Sequence, residues 1–112
     1  MRIAPPEAPS TGYNFGKGVY FADMSAKSLN YCRCSGGVGL ILLCEVSVGK
    51  PKEYFTTCYE ASNLPNGCHS TKGCGKLAPP ESCYTNLDGV IVQNGKGEKT
   101  SYNVIINIYL LT

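Results

Sequence analysis

Two tyrosines and a serine near the start of the chain are spaced in a way that could bind a flat ring. Tyr20 ends a short run typical of a strand, and Ser28 and Tyr31 fall within a run typical of a helix. Residues three apart on a helix share a face, so a helix here would place Ser28 beside Tyr31. Two aromatic faces and a hydroxyl can form a slot for a polar ring, but such side chains are equally common in protein cores.

Local signals predict the elements that must position these side chains. Residues 1–15 contain three prolines, which fix φ and remove donors, so this stretch reads as an extended loop. Residues 19–21 are β-branched and aromatic, and we expect a strand there. Asp23 or Ser25 is predicted as the N-cap of a helix over residues 25–32. On that helix Lys27 and Tyr31 are neighbours four residues apart.

The middle of the chain contains one apolar run and one long irregular region. Residues 38–49 are nearly all apolar, as expected of a strand covered on both faces. Residues 50–86 show little hydrophobic periodicity and are predicted to be irregular, with turns at residues 65–67 and at Gly73.

Residues 87–112 are predicted to form a strand, a glycine-rich turn and a second strand. Asn94 and Gly95 are the strong hairpin signal in that turn, and apolar residues alternate along the final run. Several strands with a single helix favour the α+β class over a doubly wound parallel sheet.

Composition excludes several classes of partner. The 112 residues carry a net charge of +2 without a basic stripe, so we expect no direct nucleic-acid binding. The longest apolar run, residues 38–44, is too short to span a bilayer, and we expect no membrane contact. The first ten residues lack the apolar core of a signal peptide. An odd count of seven cysteines then favours reduced thiols in an intracellular protein.

Familiar cofactor and metal motifs are absent or incomplete. Two glycine-rich stretches fail the dinucleotide pattern, at Phe21 and Ala78, and no phosphate-binding loop occurs. His69 is the single histidine of the chain. No pair of cysteines has the C-x-x-C spacing, and we expect no metal. The sets that leave zinc as an alternative are Cys32 with Cys34, and Cys68, His69, Cys74 with Cys83.

Four stretches resemble one family. "RIAPPEAPSTGYNFGKGVYFADMSAKSLNYC" is closely similar to the catalytic domain of the poly(ADP-ribose) polymerases, and "GLILLCEVSVG", "LPNGCHSTKGCGKLAPPES" and "LDGVIVQNG" resemble its later segments. The resemblance implies an α+β, partial ADP-ribosyltransferase fold, with split, mainly antiparallel sheets and one helix in the donor-site region. It also implies that NAD is consumed as a substrate and that ADP-ribose passes to a protein acceptor through an oxocarbenium-like transition state.

The resemblance assigns roles around the nicotinamide ring. Tyr31 would stack on the ring, Tyr20 would line the other side of the slot, and the Ser28 hydroxyl would bind the carboxamide. Nicotinamide in NAD is a cation, and each aromatic face attracts a desolvated cation by roughly 0.5–2 kcal/mol. The resemblance also makes Tyr20 a candidate catalytic residue, together with Lys27, which matches a lysine near the acceptor side.

Further donor-site residues follow from the same resemblance. Tyr13 matches an aromatic on the loop over the donor site, and Arg2 matches an arginine near the adenosine half of NAD. Gly18 would allow the backbone to approach the ligand closely.

Two departures from the family pattern bear on activity. The family's donor-site histidine and glycine lie upstream of Arg2, so we expect residues 1–112 to form a partial domain without that motif and the first strands. The family's glutamate after a Tyr-Asn pair is replaced by Val104, and Glu98 is a poor substitute. Valine cannot accept a hydrogen bond, so any transfer is expected to stop at a single unit. The alternatives are a catalytically inactive, family-derived binding module and an unrelated cysteine-rich domain.

Overall fold

A computed structural model describes residues 13–32, 34–102, 104–106 and 108–111. This part of the chain contains nine short strands, one α-helix and one 3₁₀ turn. In chain order they are β1 (Val19–Ala22), α1 (Ser25–Leu29), β2 (Pro51–Tyr54), β3 (Ser70–Gly73), β4 (Gly75–Ala78), the 3₁₀ turn (Glu81–Cys83), β5 (Thr85–Leu87), β6 (Val90–Val92), β7 (Glu98–Lys99), β8 (Val104–Ile106) and β9 (Ile108–Leu111). Mostly antiparallel sheets with a single helix confirm the α+β class.

The largest sheet carries the core on one face. Its strands lie in the order β1–β9–β3–β2, with β9 antiparallel to β1 and β3, and β2 parallel to β3. Tyr20 pairs with Leu110, and Leu110 pairs with Thr71. Directly opposed residues place their side chains on the same face, so this row faces the core. The fully buried apolar side chains there are Phe15, Ala61 and Leu110, and the partly buried ones packed against them are Tyr20, Tyr54 and Cys58.

Phe15 fills the centre of this core because a glycine lies opposite its ring. A Cβ added at Gly73 would lie 2.5 Å from Phe15 Cζ. The turn predicted at Gly73 is therefore wrong: the residue is the last of β3, and the Phe15 ring occupies the space that a side chain would take there. Nearby, the buried Thr71 hydroxyl donates a hydrogen bond to the Ala61 carbonyl oxygen at 2.8 Å. This bond satisfies a hydroxyl that burial would otherwise leave unpaired.

Two smaller sheets complete the described strands. One has the order β7–β4–β8, and the other is the β5–β6 hairpin. Asp88 and Gly89 form the hairpin turn, with φ of 50° and 89°. Positive φ at both central residues is the conformation that Asp-Gly and Asn-Gly favour in two-residue hairpins. The hairpin predicted around Asn94 and Gly95 is therefore wrong, because β6 pairs back with β5 through the other turn signal.

The irregular region predicted over residues 50–86 is also wrong. It contains β2, β3, β4 and β5. These strands are short and largely polar, and their sequences show no regular alternation of apolar and polar residues. These strands form through pairing with distant partners: β2 with β3, and β4 with β7 and β8. The turn predicted at residues 65–67 is confirmed, since the Cys68 N–H donates to the Pro65 carbonyl oxygen at 3.0 Å.

The apolar run at residues 38–49 is not a strand, which corrects the prediction of a buried one. Among the described residues, the only β-type backbone pairing of this run is an isolated bridge between Ser35 and Val38. Leu40, Leu42 and Leu43 are 87%, 83% and 81% exposed. A strand buried on both faces needs neighbours along both edges and cover above and below. The described residues supply neither, so the side chains stay open to solvent.

Helix α1 is shorter than predicted and has a different cap. It ends at Leu29 instead of residue 32. Two hydrogen-bonded turns follow it, one from the Tyr31 N–H to the Ser28 carbonyl oxygen and one from the Cys32 N–H to the Leu29 carbonyl oxygen. Met24 is the N-cap residue and makes no side-chain capping bond, so the prediction of Asp23 or Ser25 is wrong. Burial raises the pKa of the Tyr84 and Tyr109 phenols, and the charge of the Asp23 carboxylate adds to the rise at both.

The final apolar run divides between two sheets. The prediction of one continuous strand is wrong, because β8 lies beside β4 whereas β9 lies between β1 and β3. The strand predicted at residues 19–21 is confirmed by β1. No helix in the described ranges is long and apolar enough to cross a bilayer.

Candidate functional site

A tight loop before β1 holds the first of the candidate aromatic residues. The Gly16 N–H donates to the Tyr13 carbonyl oxygen at 3.2 Å and closes a turn. The Tyr20 hydroxyl donates to the Gly16 carbonyl oxygen at 2.5 Å and accepts from the Phe15 N–H at 3.3 Å. Gly16 has φ of 79°, and a Cβ there would meet Ser62 Oγ at 2.5 Å, so only glycine fits. The phenol of Tyr20 thus fastens the loop to the sheet.

Tyr13 and Tyr20, two of the candidate aromatic residues, pack against each other. Their ring centroids are 5.9 Å apart and the planes are inclined by 35°, within the range of favourable aromatic pairs. Burial raises the pKa of Tyr20 above its ordinary value, the hydrogen bond from Phe15 opposes this rise, and the nearby phenols of Tyr13 and Tyr31 add to it. Tyr20 is therefore neutral at physiological pH and keeps the proton that it donates to Gly16.

Helix α1 and the turn after it carry the other candidate residues. Lys27 Nζ lies 5.6 Å from the centroid of the Tyr31 ring, which confirms the predicted contact across four residues. The Tyr31 ring is 76% exposed, so its faces are accessible to a ligand. Ser28 is partly buried, and its hydroxyl makes no hydrogen bond to the described part of the chain. The Tyr31 ring and the Ser28 hydroxyl thus lie three residues apart, on α1 and the turn that follows it.

The remaining predicted residues lie in separate places. Gly18 packs against β9, where a Cβ would contact the Leu110 side chain and lie 2.5 Å from the Leu111 carbonyl oxygen. The structure thus gives a packing reason for this glycine, and its role toward a ligand stays a prediction. Val104 is in β8, paired with Gly75 in a sheet other than that of Tyr20. Arg2 lies outside the described residues.

A polar row on the opposite face of the main sheet is absent from the predicted site. Lys72 pairs with Tyr109 on one side and with Glu53 on the other, and its ammonium donates to Glu53 Oε1 at 2.9 Å. Burial raises the pKa of Tyr109, which the charge of Lys72 partly offsets. The row joins three strands that are distant in sequence, so no local signal marks it.

The candidate zinc residues do not converge. Among the residues that the structure describes, no group of three or more His, Cys, Asp or Glu side chains could hold a metal ion. All seven cysteines carry free thiols.

Replacing Tyr20 with phenylalanine tests the fastening of the loop. We expect the free energy of unfolding to fall by about 1–2 kcal/mol, because a carbonyl and an N–H lose their partner while the ring is kept. The change is measured by urea unfolding at pH 7. Because the phenol pKa is raised on folding, the wild type should also lose stability above about pH 10, and the variant should show a weaker alkaline loss. Tyr59→Phe is the matched control, since this exposed phenol makes none of these bonds, and an equal loss there would contradict the assignment.

Comparison with known proteins decides the family. The profile described as "Poly(ADP-ribose) polymerase catalytic domain" matches residues 1–107. This chain belongs to that family. It is 58% identical to poly [ADP-ribose] polymerase 2 of Arabidopsis thaliana over 99 residues, 86% of this chain and 16% of that protein. It is 54% identical to poly [ADP-ribose] polymerase 1 of Xenopus laevis over 106 residues, 93% of this chain and 10% of that protein. It is 51% identical to poly [ADP-ribose] polymerase 2 of Homo sapiens over 102 residues, 89% of this chain and 18% of that protein.

The match to the poly(ADP-ribose) polymerase catalytic domain confirms the family indicated by the sequence. The family consists of NAD⁺ ADP-ribosyltransferases, and its domains use NAD as a substrate. The chain spans less than a fifth of the length of these relatives, with 18% the largest of the three shares. The matched range contains each candidate residue, but the role of each one in this chain stays a prediction.

Proposed function

We propose that the protein transfers ADP-ribose from NAD⁺ to a protein acceptor and releases nicotinamide. The observation that carries the proposal is the family match over residues 1–107. The exposed Tyr31 ring, with the Lys27 ammonium beside it and the Ser28 hydroxyl three residues away in sequence, supports it. We also propose the partial ADP-ribosyltransferase fold for residues 1–112, and an intracellular, nuclear location without direct contact to nucleic acid or membrane.

The residues around α1 fit a cationic pyridine carboxamide. The Tyr31 ring already holds an ammonium group at 5.6 Å, so its face is suited to positive charge. The Ser28 hydroxyl can donate to or accept from an amide, and a bond of that kind contributes about 1 kcal/mol. In this proposal Tyr31 stacks on the ring, Ser28 binds the carboxamide, and Tyr20 forms the second wall. When bound, NAD supplies a glycosidic bond whose leaving group is a neutral nicotinamide.

Other residues support the donor and acceptor sides. Tyr13 contacts the Tyr20 ring and covers the loop side of the proposed slot. Gly18 keeps the backbone before β1 free of a side chain, and Arg2 is proposed for the adenosine half of NAD. Lys27, a candidate catalytic residue, is proposed to place its charge near the acceptor.

Transfer is proposed to stop after one unit. The family places a glutamate at the position of Val104, where a carboxylate stabilises the oxocarbenium and supports chain elongation. A valine side chain offers neither charge nor hydrogen-bond acceptor. The same observation favours a second candidate function, a catalytically inactive binding module that keeps the nicotinamide-binding residues.

Labelled NAD distinguishes the two functions. The longest natural form of the protein is incubated with NAD labelled in its adenylate, and modified proteins are separated by gel and analysed by mass spectrometry. We expect one ADP-ribose per modified side chain and matching release of nicotinamide. Product ladders would contradict single-unit transfer. Tight nicotinamide binding without any transfer would favour the binding module. If the protein shows no nicotinamide binding and no transfer, both functions are wrong. Ser28→Ala should weaken nicotinamide binding, and Ser25→Ala, an exposed serine on the same helix, is its matched control.

A further inference from the structure

Two cysteines follow α1 directly, and one of them links the helix to the apolar run. The Cys32 thiol lies 3.5 Å from the Ser28 carbonyl oxygen and 3.3 Å from the Leu40 carbonyl oxygen, and it can donate to either. Ser28 is in the helix, whereas Leu40 is in the run at residues 38–49. The Cys32 thiol therefore connects the end of α1 with the run at residues 38–49, which lies outside the described strands.

Cys34 lies against the same small space. A Cβ built on Gly39 would lie 2.9 Å from Cys34 Sγ and 3.7 Å from Cys32 Cβ. The absence of a side chain at Gly39 thus lets both cysteine side chains occupy one side of the loop. Cys34 is exposed and Cys32 is partly buried, and both carry free thiols. Disulfides need Cβ atoms about 3.5–4.5 Å apart, and both cysteine side chains lie within 4 Å of the same point beside Gly39.

We propose that Cys32 and Cys34 form a reversible disulfide with each other. The oxidant is a low-molecular-weight disulfide such as oxidised glutathione. The exposed Cys34 thiolate attacks the oxidant, its S–S bond breaks, and one reduced glutathione leaves. The Cys32 thiolate then displaces the second glutathione from Cys34. Two protein thiols and one oxidised glutathione become one protein disulfide and two reduced glutathiones, so electrons and protons balance.

A disulfide fits this pair better than a metal site. Zinc sites need at least three protein ligands, and the described residues contain no such group of side chains. A disulfide needs only two cysteines, and the loop places the side chains of both beside Gly39. The pairing is independent of the proposed function, because it depends only on the contacts among Ser28, Cys32, Cys34, Gly39 and Leu40.

Oxidation changes the contacts of α1. A disulfide has no S–H, so Cys32 can no longer donate a hydrogen bond to the Ser28 or the Leu40 carbonyl oxygen. The neighbouring hydrogen bonds of this turn are made by two amides. The Tyr31 N–H donates to the Ser28 carbonyl oxygen at 3.0 Å, and the Cys32 N–H donates to the Leu29 carbonyl oxygen at 3.1 Å. Their protection from hydrogen exchange should fall when the sulfur connection is removed. The disulfide is therefore a redox-sensitive device that loosens the turn carrying Tyr31.

Peptide mapping tests the disulfide directly. Trypsin cleaves after Lys27 and Arg33 and, because Lys50 precedes a proline, next after Lys52. The two cysteines therefore separate into residues 28–33 and 34–52, and Cys44→Ser removes the other thiol from the second peptide. After equilibration in oxidised glutathione and alkylation, we expect these peptides linked by one disulfide that dithiothreitol reverses. Free or merely glutathionylated cysteines at full oxidation would overturn the proposal, as would equal linkage of Cys34 to other cysteines.

Hydrogen exchange tests the structural consequence with a matched variant. The amides of residues 31 and 32 should exchange several-fold faster in the oxidised protein. Cys32→Ala, kept reduced, should show the same increase without any disulfide, whereas Cys32→Ser keeps a donor and should exchange near the wild-type rate. A linked pair with unchanged exchange would overturn the coupling between the disulfide and the helix.

Discussion

Replacing Val104 with glutamate is expected to raise the rate of ADP-ribose transfer by about 10²–10³-fold, the effect of one electrostatic contact to a transition state. In the proposed function, a carboxylate at this position stabilises positive charge on the ribose, whereas valine cannot. β8 pairs with Gly75 through its backbone, so the substitution keeps the strand bonds. The measurement is kcat/KM for labelled NAD, with product length read from the same gels. Single units should give way to short ladders.

Two control variants separate charge from shape. Val104→Gln supplies a polar side chain of similar size without charge and should recover only a small part of the rate. Glu98→Gln removes a carboxylate from β7, where it pairs with Ala78, and should leave transfer unchanged. If glutamate and glutamine at position 104 act alike, or if Glu98→Gln abolishes transfer, the role assigned to position 104 is wrong.

Replacing Phe15 with alanine should lower the free energy of unfolding by about 3–5 kcal/mol, the usual cost of removing a buried aromatic ring. The side chain is 0% exposed and lies against Gly73, and its ring centroid is 6.3 Å from that of Tyr54. The midpoint of thermal unfolding should therefore fall by more than about 10 °C, measured by circular dichroism. Phe15→Leu keeps most of the volume and should cost much less.

The glycine facing this ring supplies an independent check. Gly73→Ala alone should be strongly destabilising, because its Cβ would lie 2.5 Å from Phe15 Cζ. Combined with Phe15→Ala the same change should cost far less, since the added methyl enters the space left by the ring. Strictly additive effects would show that the two residues do not share this space.

Local signals were sufficient for the elements around the candidate site. The strand at Val19–Ala22 follows from β-branched and aromatic residues after glycines, and the helix start follows from the run beginning at Ser25. The contact between Lys27 and Tyr31 follows from helical spacing alone. The hydroxyl bond from Tyr20 to Gly16 could not be predicted, because it depends on how the loop folds back over the strand.

Elements that depend on distant partners were missed. β2 and β3 are polar four-residue strands, and their parallel pairing joins segments separated by a long loop. The sequence contains two equivalent turn signals, Asp88-Gly89 and Asn94-Gly95. The hairpin forms at the first, because β5 pairs with β6 across it. The apolar run at residues 38–49 shows the converse: its composition is that of a buried strand, but burial requires neighbours that the described chain does not place there.

The side chains of β1 alternate between the core face, with Tyr20, and the polar face, with Phe21 beside Tyr109. Alternation has a period of two residues, so one inserted or deleted residue between Gly18 and Tyr20 would exchange these faces. The phenol would then point away from Gly16 and Tyr13, and a valine or phenylalanine would take its place. Natural variants should thus tolerate many replacements at position 19 and almost no change in the number of residues there.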